Sequence, residues 1–258
     1  MKNLFLVVLA VRLLIGCSKN DDNNDVSDNS SKVIMPLGVG YTWDYIDSTF
    51  TSAGKVESVD SSRLVITGYV NDSIKAYLWT WYDFHSKTYN DVSELINTND
   101  KGFVDYGFVY NNVRYFNNNK NNYLYLKYPV NLNDKWQSFS IGYSINDRKV
   151  TTHPDTVSLT CTSINKKLHT KAGDFDCYVY TSSETNCEGN VIEQSMYFAP
   201  NIGYLGFIQK ENGIVFSKKL LKSYSLVGKE NSGNKVKSIR NPIHVKKYNL
   251  FGIKNKSF

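Results

Sequence analysis

Short runs rich in Tyr, Phe, Trp, Val and Thr, each ended by turn-forming residues, follow one another along most of this 258-residue chain. These residue types favour strands because aromatic and β-branched side chains pack well on a pleated surface. The composition agrees, with 19 Tyr, 13 Phe and 4 Trp. Many short strands with frequent turns predict an all-β domain of antiparallel sheets, arranged as a sandwich or as an open, barrel-like sheet.

The pattern predicts strands in ten places. Asn212-Gly213 is the strongest hairpin signal in the chain, because both residues tolerate a positive φ. A short helix is expected only at residues 91–97. The predicted strands are residues 41–50, 63–70, 75–84, 103–110, 123–128, 157–164, 175–182, 191–198, 204–209 and 214–220.

Two segments share one pattern, in which a Pro stands seven residues before a Trp with a tight turn between them. Pro36 precedes Trp43, and Pro129 precedes Trp136. Proline suits the start of a strand because it lacks a backbone donor, and Gly, Asn and Asp permit the turn. Each Trp is expected to open a strand and bury its ring. The echo predicts two analogous halves, one opening at Pro36 and the other at Pro129.

The first residues predict export. Residues 4–15 form a mostly apolar run, which fits the core of a signal peptide and is short of the roughly 20 residues of a membrane span. The run ends in Leu14-Ile15-Gly16-Cys17, which resembles a bacterial lipobox. The resemblance implies removal of the signal peptide, residues 1–16, and acyl chains such as palmitate on Cys17. Two or more such chains give stable membrane anchoring. A buried Cys ending a short apolar helix is the alternative.

Residues 17–32 are rich in Asp, Asn and Ser and nearly lack apolar residues. Such a segment cannot bury enough surface to offset its ordering entropy, so it is expected to be a flexible tether behind the lipidated Cys17. Lys19 with the acidic run after it resembles the surface-export signal of Bacteroidota lipoproteins. Ser18 resembles the residue after the cysteine in lipoproteins released to the outer membrane. We therefore expect a lipid-anchored outer-membrane protein, with surface and periplasmic orientations both open.

Further motifs across residues 33–226 resemble those of uncharacterised Bacteroidota lipoproteins. Asn133 stands where that family more often has Gly. The resemblance implies a β-rich extracytoplasmic domain and brings no established activity. The motifs are Met35-Pro36-Leu37-Gly38-Val39-Gly40-Tyr41-Thr42-Trp43-Asp44-Tyr45, Tyr128-Pro129-Val130 with Asp134-Lys135-Trp136, Ala172-Gly173-Asp174-Phe175-Asp176-Cys177, Phe198-Ala199-Pro200-Asn201-Ile202-Gly203-Tyr204 and Leu221-Lys222-Ser223-Tyr224.

Charge divides the mature chain into a β domain, residues 33–227, and a basic tail, residues 228–258. From residue 218 to the end there are eleven Lys or Arg and one acid, a net charge of +10, while all preceding residues sum to −4. The tail could contact anionic lipid headgroups or polysaccharide, or it could be a solvated chain end. Basic and aromatic residues do not interleave in the β domain, which argues against a nucleic-acid partner.

Three cysteines follow Cys17, so an exported chain can form at most one internal disulfide among them. The candidate pairs are Cys177–Cys187 and Cys161–Cys177. All three thiols remaining reduced and buried is the third alternative.

The sequence has no recognisable catalytic or metal-binding pattern. None of the four histidines stands two to four residues from another His or a Cys, as zinc spacing requires. The sequence has no nucleophile elbow and no phosphate-binding Gly-rich loop. Carboxylates are plentiful, but a glycosidase needs two held across a cleft, and one sequence cannot show such a pair. No catalytic residue, metal ligand or cofactor is predicted. The carboxylates of the β domain include Asp44, Asp83, Glu94, Asp105 and Asp134.

One aromatic stripe is the candidate ligand site. In residues 75–84, alternation puts Tyr77, Trp79 and Trp81 on one face and further apolar or aromatic residues on the other. The stripe predicts a platform for sugar rings or an apolar groove for lipid or a protein partner, unless the strand is buried on both faces. The leading hypothesis is a non-enzymatic envelope protein that binds a glycan, a lipid or an envelope partner. An envelope hydrolase acting on polysaccharide and a purely structural component are the alternatives.

Overall fold

The computed structural model describes residues 33–71, 74–84, 87–117, 123–146, 149–186 and 188–227. In these ranges thirteen strands form one antiparallel sheet, which confirms the predicted all-β fold. No helix in the same ranges is long and apolar enough to cross a bilayer. The strands are β1 (Thr42–Phe50), β2 (Val56–Asn71), β3 (Lys75–Asp83), β4 (Thr88–Asn99), β5 (Gly102–Tyr110), β6 (Val113–Phe116), β7 (Leu124–Lys127), β8 (Lys135–Asn146), β9 (Lys149–Thr170), β10 (Gly173–Thr185), β11 (Val191–Ala199), β12 (Gly203–Glu211) and β13 (Ile214–Ser225).

The chain runs as two successive meanders, β1–β7 and β8–β13, that meet at two junctions. Their order in the sheet is β6-β5-β4-β3-β2-β1-β13-β12-β11-β10-β9-β8, with β7 also paired to β5. At the first junction β1 and β13 share a backbone ladder from Thr42↔Ser225 to Thr49↔Ser217. We call this the closed junction.

At the second junction the sheet curls so that β8 lies beside β5 and β7. The indole Nε1 of Trp136 on β8 donates to the carbonyl of Tyr125 on β7 at 3.0 Å. The rings of Phe108 on β5 and Tyr143 on β8 have centroids 4.4 Å apart. No backbone ladder joins β8 to β5, β6 or β7 within the described ranges. We call this the open junction.

The segments that open the two halves have the same turn. Gly40 and Asn133 occupy equivalent positions and both take the left-handed conformation, with φ of 91° and 67°. The N–H of Gly40 donates to the carbonyl of Ile66 at 2.8 Å, and that of Asn133 to Cys161 at 2.7 Å. Ile66 and Cys161 each return a hydrogen bond to the residue after that turn position. Asn replaces Gly here at low cost, because Asn tolerates the left-handed region.

Each tryptophan of the echo was expected to open a strand, and each stands second in its strand, with Trp136 half-buried. Trp43 is fully buried and donates its indole N–H to the carbonyl of Ile202 at 2.7 Å. Trp136 makes the equivalent bond to Tyr125. Each half is therefore attached to the other by the indole of its first strand.

Aromatic residues fill the inside of the curled sheet. Fully burying one large apolar side chain contributes roughly 1.5–3 kcal/mol, so these rings dominate the stability of the fold. Ile34 and Met35, which precede β1, pack into the same core. The largest fully buried aromatic side chains are Trp43, Tyr45, Trp79, Phe103, Phe108, Tyr180, Phe198 and Tyr204.

The predicted helix at residues 91–97 is wrong, since this segment lies within β4 and pairs with both β3 and β5. Two-sided backbone pairing outweighs weak local propensity there. The predicted hairpin at Asn212-Gly213 is confirmed, with φ of 49° and 83° between β12 and β13. The strands β6 and β8 were absent from the ten predicted runs, although Trp136 was expected to open a strand.

Cys161 and Cys177 are buried free thiols, so neither candidate disulfide forms. Each thiol donates to a backbone carbonyl, Cys161 to Ser163 at 3.4 Å and Cys177 to Lys166 at 3.2 Å. Burial raises the pKa of Cys161 to about 11 and that of Cys177 to about 12. Both thiols are therefore unreactive at neutral pH. Cys187 lies outside the described residues.

Candidate functional site

The predicted aromatic platform is corrected by the position of β3 in the sheet. Trp79 is completely buried and Trp81 is 8% exposed, because both point into the curled sheet. Trp79 packs against Phe103 with ring centroids 5.3 Å apart. Tyr77 is half-buried and packs against Tyr69 at 4.7 Å. A sugar ring could not stack on these two indoles unless the core opened.

An internal cation already covers Trp81. Lys219 of β13 is 6% exposed, and its Nζ lies 4.1 Å from the centroid of Trp81 and 5.5 Å from that of Tyr45. The same Nζ lies 3.0 Å from Asp47 Oδ1 and donates to Ser62 Oγ at 2.8 Å. Burial lowers the pKa of Lys219, and the charge of Asp47 opposes that shift. The closed junction thus contains a buried ammonium group with an internal counter-ion.

The outer face of the same strands carries a row of aligned polar and aromatic residues. Asp44 of β1 pairs with Ser223 of β13 on one side and with Arg63 of β2 on the other. Arg63 pairs with Tyr82 of β3, and Tyr82 pairs with Tyr89 of β4. We call these five residues the outer row.

Hydrogen bonds fix the charged end of the outer row. Arg63 donates Nε to Asp44 Oδ1 and Nη2 to Asp44 Oδ2, the latter at 3.0 Å. Ser223 Oγ donates to the same carboxylate at 3.0 Å. The hydrogen bond to Asp44 raises the pKa of the Arg63 guanidinium. The guanidinium also lies over the ring of Phe84, 5.2 Å from its centroid.

The aromatic end of the row is open to solvent. Phe84 is 37% exposed and Tyr89 is 50% exposed. The ring of Tyr82 lies between them, with centroids 5.1 Å from Phe84 and 5.0 Å from Tyr89. Exposed ring faces beside a fixed guanidinium and a carboxylate offer stacking, donors and acceptors on one surface. Strand alternation had separated the two faces of β3 correctly, but it could not tell which face would be covered.

A second site lies at the open junction, where a small cavity separates β5 from β8. The centre of a water-sized sphere can occupy about 10 Å³ of it, which is about the space needed for one water molecule. Three acidic side chains line it, Glu94 of β4, Asp105 of β5 and Asp155 of β9. The other lining residues are Gly107, Phe108, Ser140, Ile141, Gly142 and Tyr143.

Two of these acids are deeply buried side by side. Glu94 is 7% exposed and its Oε2 has no hydrogen-bond partner, while Asp105 is 2% exposed. Asp105 Oδ1 accepts the N–H of Gly107 at 2.8 Å. Burial raises the pKa of Asp105 to about 7, although that hydrogen bond opposes the shift. Burial and the neighbouring charge of Asp105 raise the pKa of Glu94 well above its ordinary value. The neutral forms are therefore favoured in this cavity.

The remaining acids named from the sequence do not converge. Asp134 accepts the backbone N–H of Asn131 at 3.2 Å within the second Pro–Trp turn, and Asp83 ends β3. His169 contacts Asp174 at an exposed hairpin. No group of three or more His, Cys, Asp or Glu in the described ranges is arranged to hold a metal ion. Cys17, the proposed lipidation site, lies outside those ranges.

Comparison with known proteins gives no family. No family model and no curated protein matches the chain. A protein from Bacteroides fragilis, described as exported and as having a YmcC-like fold, is 14% identical, with a TM-score of 0.44 over 75% of this chain and 99% of that one. A protein from Parabacteroides distasonis described as a lipoprotein is 13% identical, with a TM-score of 0.37 over the same shares. At these levels of similarity the two proteins contribute nothing to the assignment of a function.

Proposed function

We propose that this protein is a lipid-anchored outer-membrane protein whose β domain is a non-catalytic module that binds a glycan. Acyl chains on Cys17 attach it to the membrane, and residues 17–32 separate the domain from the bilayer. The lipobox resemblance and the polar composition of that segment support the anchoring. The substitution Cys17→Ala tests the anchoring, because it removes the proposed site of acylation. The variant should lack the mass of the acyl chains at residue 17 and should be released from membranes. An unmodified Cys17 in the wild type would contradict the anchoring.

The outer row, with Phe84 beside it, carries the glycan proposal. Sugars present apolar C–H faces that stack on aromatic rings and hydroxyl groups that pair with guanidinium and carboxylate groups. Protein groups suited to both kinds of contact lie here on neighbouring strands. Asp44 holds Arg63 in place before any ligand arrives, which reduces the entropy lost on binding. A lipid would use the aromatic end of this surface only.

Alanine substitution separates binding from stability. Tyr89→Ala and Phe84→Ala should each weaken binding to an envelope polysaccharide by about tenfold or more, because each removes an exposed stacking surface. Their free energy of unfolding should change by less than about 1 kcal/mol, since both rings are substantially exposed. Binding is measured by affinity electrophoresis and calorimetry, and unfolding by urea titration.

Tyr69→Ala is the matched control, because Tyr69 is an exposed aromatic residue, 43% exposed, outside the outer row. It should leave glycan binding unchanged. Equal loss in all three variants, or binding of lipid vesicles without binding of polysaccharide, would contradict the proposal.

A polysaccharide hydrolase is the second candidate, favoured by the convergence of Glu94 and Asp105 on one cavity. Glycoside hydrolysis uses a pair of carboxyl groups, one kept protonated by a raised pKa as the general acid and the other ionised as the nucleophile or base. The cavity has room for about one water molecule, so a sugar could reach these acids only if the open junction widened. The hydrolase hypothesis predicts release of reducing ends from polysaccharide that Glu94→Gln abolishes. The binding module predicts no release by the wild type.

A further inference from the structure

The two junctions are built on equivalent positions, which can be matched through the strand registers. Gly107 of β5 and Gly206 of β12 have φ of 125° and 127°. A Cβ on either would lie 2.0 Å from a carbonyl oxygen of the next strand, that of Tyr115 for Gly107 and that of Lys219 for Gly206. Phe108 follows the first glycine and pairs with Tyr115, as Phe207 follows the second and pairs with Lys219. Tyr115 at the open junction is therefore the counterpart of Lys219 at the closed one.

The acids of the cavity have counterparts too. Glu94 pairs with Phe108 as Met196 pairs with Phe207, so Glu94 corresponds to Met196. Asp105 stands opposite Ile96, two residues beyond Glu94, and its counterpart is Tyr204. The open junction has two carboxyl groups where the closed junction has two neutral side chains.

The third acid is common to both junctions. Asp155 pairs with Ser140, which stands four residues after Trp136. Asp60 pairs with Asp47, which stands four residues after Trp43. At the closed junction the ammonium group of Lys219 contacts Asp47, while Asp60 is exposed. Burial lowers the pKa of Lys219, and the charges of Asp47 and Asp60 oppose that shift. At the open junction Ser140 stands in place of Asp47, Asp155 in place of Asp60 and Tyr115 in place of Lys219. Glu94 and Asp105 add two carboxyl groups that the closed junction does not have.

The cavity at the open junction suits an ammonium group like that of Lys219 at the closed junction. The residues that line the cavity include three acids and no basic residue. Glu94 is one of these acids, and its Oε2 atom has no hydrogen-bond partner. An ammonium group has three donors and is about the size of the single water that the cavity admits. The carbon chain behind such a group would leave past the rings of Phe108 and Tyr143, which also line the cavity.

Other ligand classes fit less well. A sugar ring exceeds the cavity. A calcium ion needs six to eight oxygen ligands, and no set of three or more acidic, His or Cys side chains in the described part of the chain is placed to hold a metal. A planar guanidinium is wider than one water molecule.

We propose that the open junction is a binding site for a primary ammonium group on an unbranched carbon chain, such as a lysine side chain of a polypeptide. The ligand supplies a buried ammonium group at the open junction, as Lys219 does at the closed junction. The absence of a backbone ladder between β5 and β8 in the described ranges gives the carbon chain a path to the cavity. The site is separate from the outer row and does not depend on glycan binding.

The full-length chain is titrated with n-butylammonium by calorimetry, with n-butanol, tetramethylammonium and Ca²⁺ as comparison ligands. The wild type should bind n-butylammonium at least tenfold more tightly than any of these. Glu94→Gln should weaken that binding at least tenfold, because a bound ammonium group favours the ionised form of Glu94 and glutamine cannot supply that negative charge. Glu184→Gln is the matched control, since Glu184 is exposed on β10, and it should bind like the wild type.

The outcomes separate the proposal from its rivals. No binding of n-butylammonium, preference for Ca²⁺, or equal loss in Glu184→Gln would each overturn it. A full-length variant with the lysines of residues 228–258 changed to Gln identifies the source of the lysine. Tighter binding of the probe by that variant assigns the site to the chain's own tail. Unchanged binding assigns it to another polypeptide, and either result upholds the ammonium site.

Discussion

The closed and open junctions join the same parts of the two halves, the first strand of one to the end of the other, and they differ in both backbone and charge. The closed junction has a continuous ladder between β1 and β13 and a buried Lys219 paired with Asp47. The open junction has no ladder in the described ranges and contains Glu94 and Asp105 without a cation among the cavity-lining residues. The buried charge of Lys219 has a counter-ion within the same chain. The acids Glu94 and Asp105, which have no such counter-ion among the cavity-lining residues, lie where the backbone ladder is missing.

The energetics of the two junctions should therefore respond in opposite ways to the loss of a charge. Removing one partner of a buried ion pair leaves an uncompensated charge and is strongly destabilising. Removing an unpaired buried acid relieves a desolvation cost. Charge removal should weaken the closed junction and strengthen the open one.

The largest effect of a single substitution is expected at the closed junction. Asp47→Ala should lower the free energy of unfolding by about 3 kcal/mol, because the ammonium group of Lys219 stays buried without its main counter-ion. Replacing both members, Asp47→Leu with Lys219→Met, should cost less than Asp47→Ala alone. Urea titrations at pH 7 measure both variants. A double variant less stable than the single one would show that the ion pair adds net stability.

The second effect is a pH dependence set by the open junction. The pKa of Asp105 is about 7 in the folded chain against an ordinary value of 3.8, so the folded state holds a proton that the unfolded state releases. The stabilisation is complete below about pH 4 and is lost as the pH rises through about 7. Over that window the free energy of unfolding should fall by up to about 1.4 kcal/mol per pH unit. Glu94 adds to the fall in the same direction.

Amide substitutions test the origin of this slope. Asp105→Asn and Glu94→Gln should each unfold at a higher urea concentration than the wild type at pH 8 and show a flatter pH profile between pH 5 and 8. Glu184→Gln should follow the wild-type profile. A slope that survives in both cavity variants would place its cause elsewhere.

The smallest effect concerns the two indole hydrogen bonds between the halves. Trp43→Phe should cost about 1–3 kcal/mol, because the fully buried ring of Trp43 loses packing contacts together with its hydrogen bond to the carbonyl of half-buried Ile202. Trp136→Phe should cost less than about 1 kcal/mol, because the half-buried bond to Tyr125 can be replaced by water. Thermal unfolding of the two variants measures the difference. Equal costs would mean that the open junction excludes water as well as the closed one.

The fold was largely predictable from local patterns. Most predicted runs lie in observed strands, and Asn212-Gly213 forms the expected hairpin, because turn geometry is encoded by neighbouring residues. The Pro–Trp echo also predicted the two halves, since Gly40 and Asn133 form the same turn. The helix predicted at residues 91–97 was wrong because backbone pairing with β3 and β5 makes this segment a strand.

The sites were less predictable because they depend on contacts between distant residues. Alternation along β3 could not show that Trp79 faces the core and Tyr82 faces solvent. Glu94 and Asp105 were visible as acids, but their meeting with Asp155 depends on the curl of the sheet. Matching the strand registers of the two halves identifies Tyr115 as the counterpart of Lys219, but these registers are known only once the fold is known.

The measurement that tests the comparison most directly is the pH profile of unfolding for Tyr115→Lys, which puts at the open junction the side chain that the closed junction has. The variant should be more stable than the wild type at pH 8, lose most of the slope between pH 5 and 8, and no longer bind n-butylammonium. A variant that is less stable at pH 8, keeps the full slope and binds the probe as the wild type does would contradict the equivalence of the two junctions.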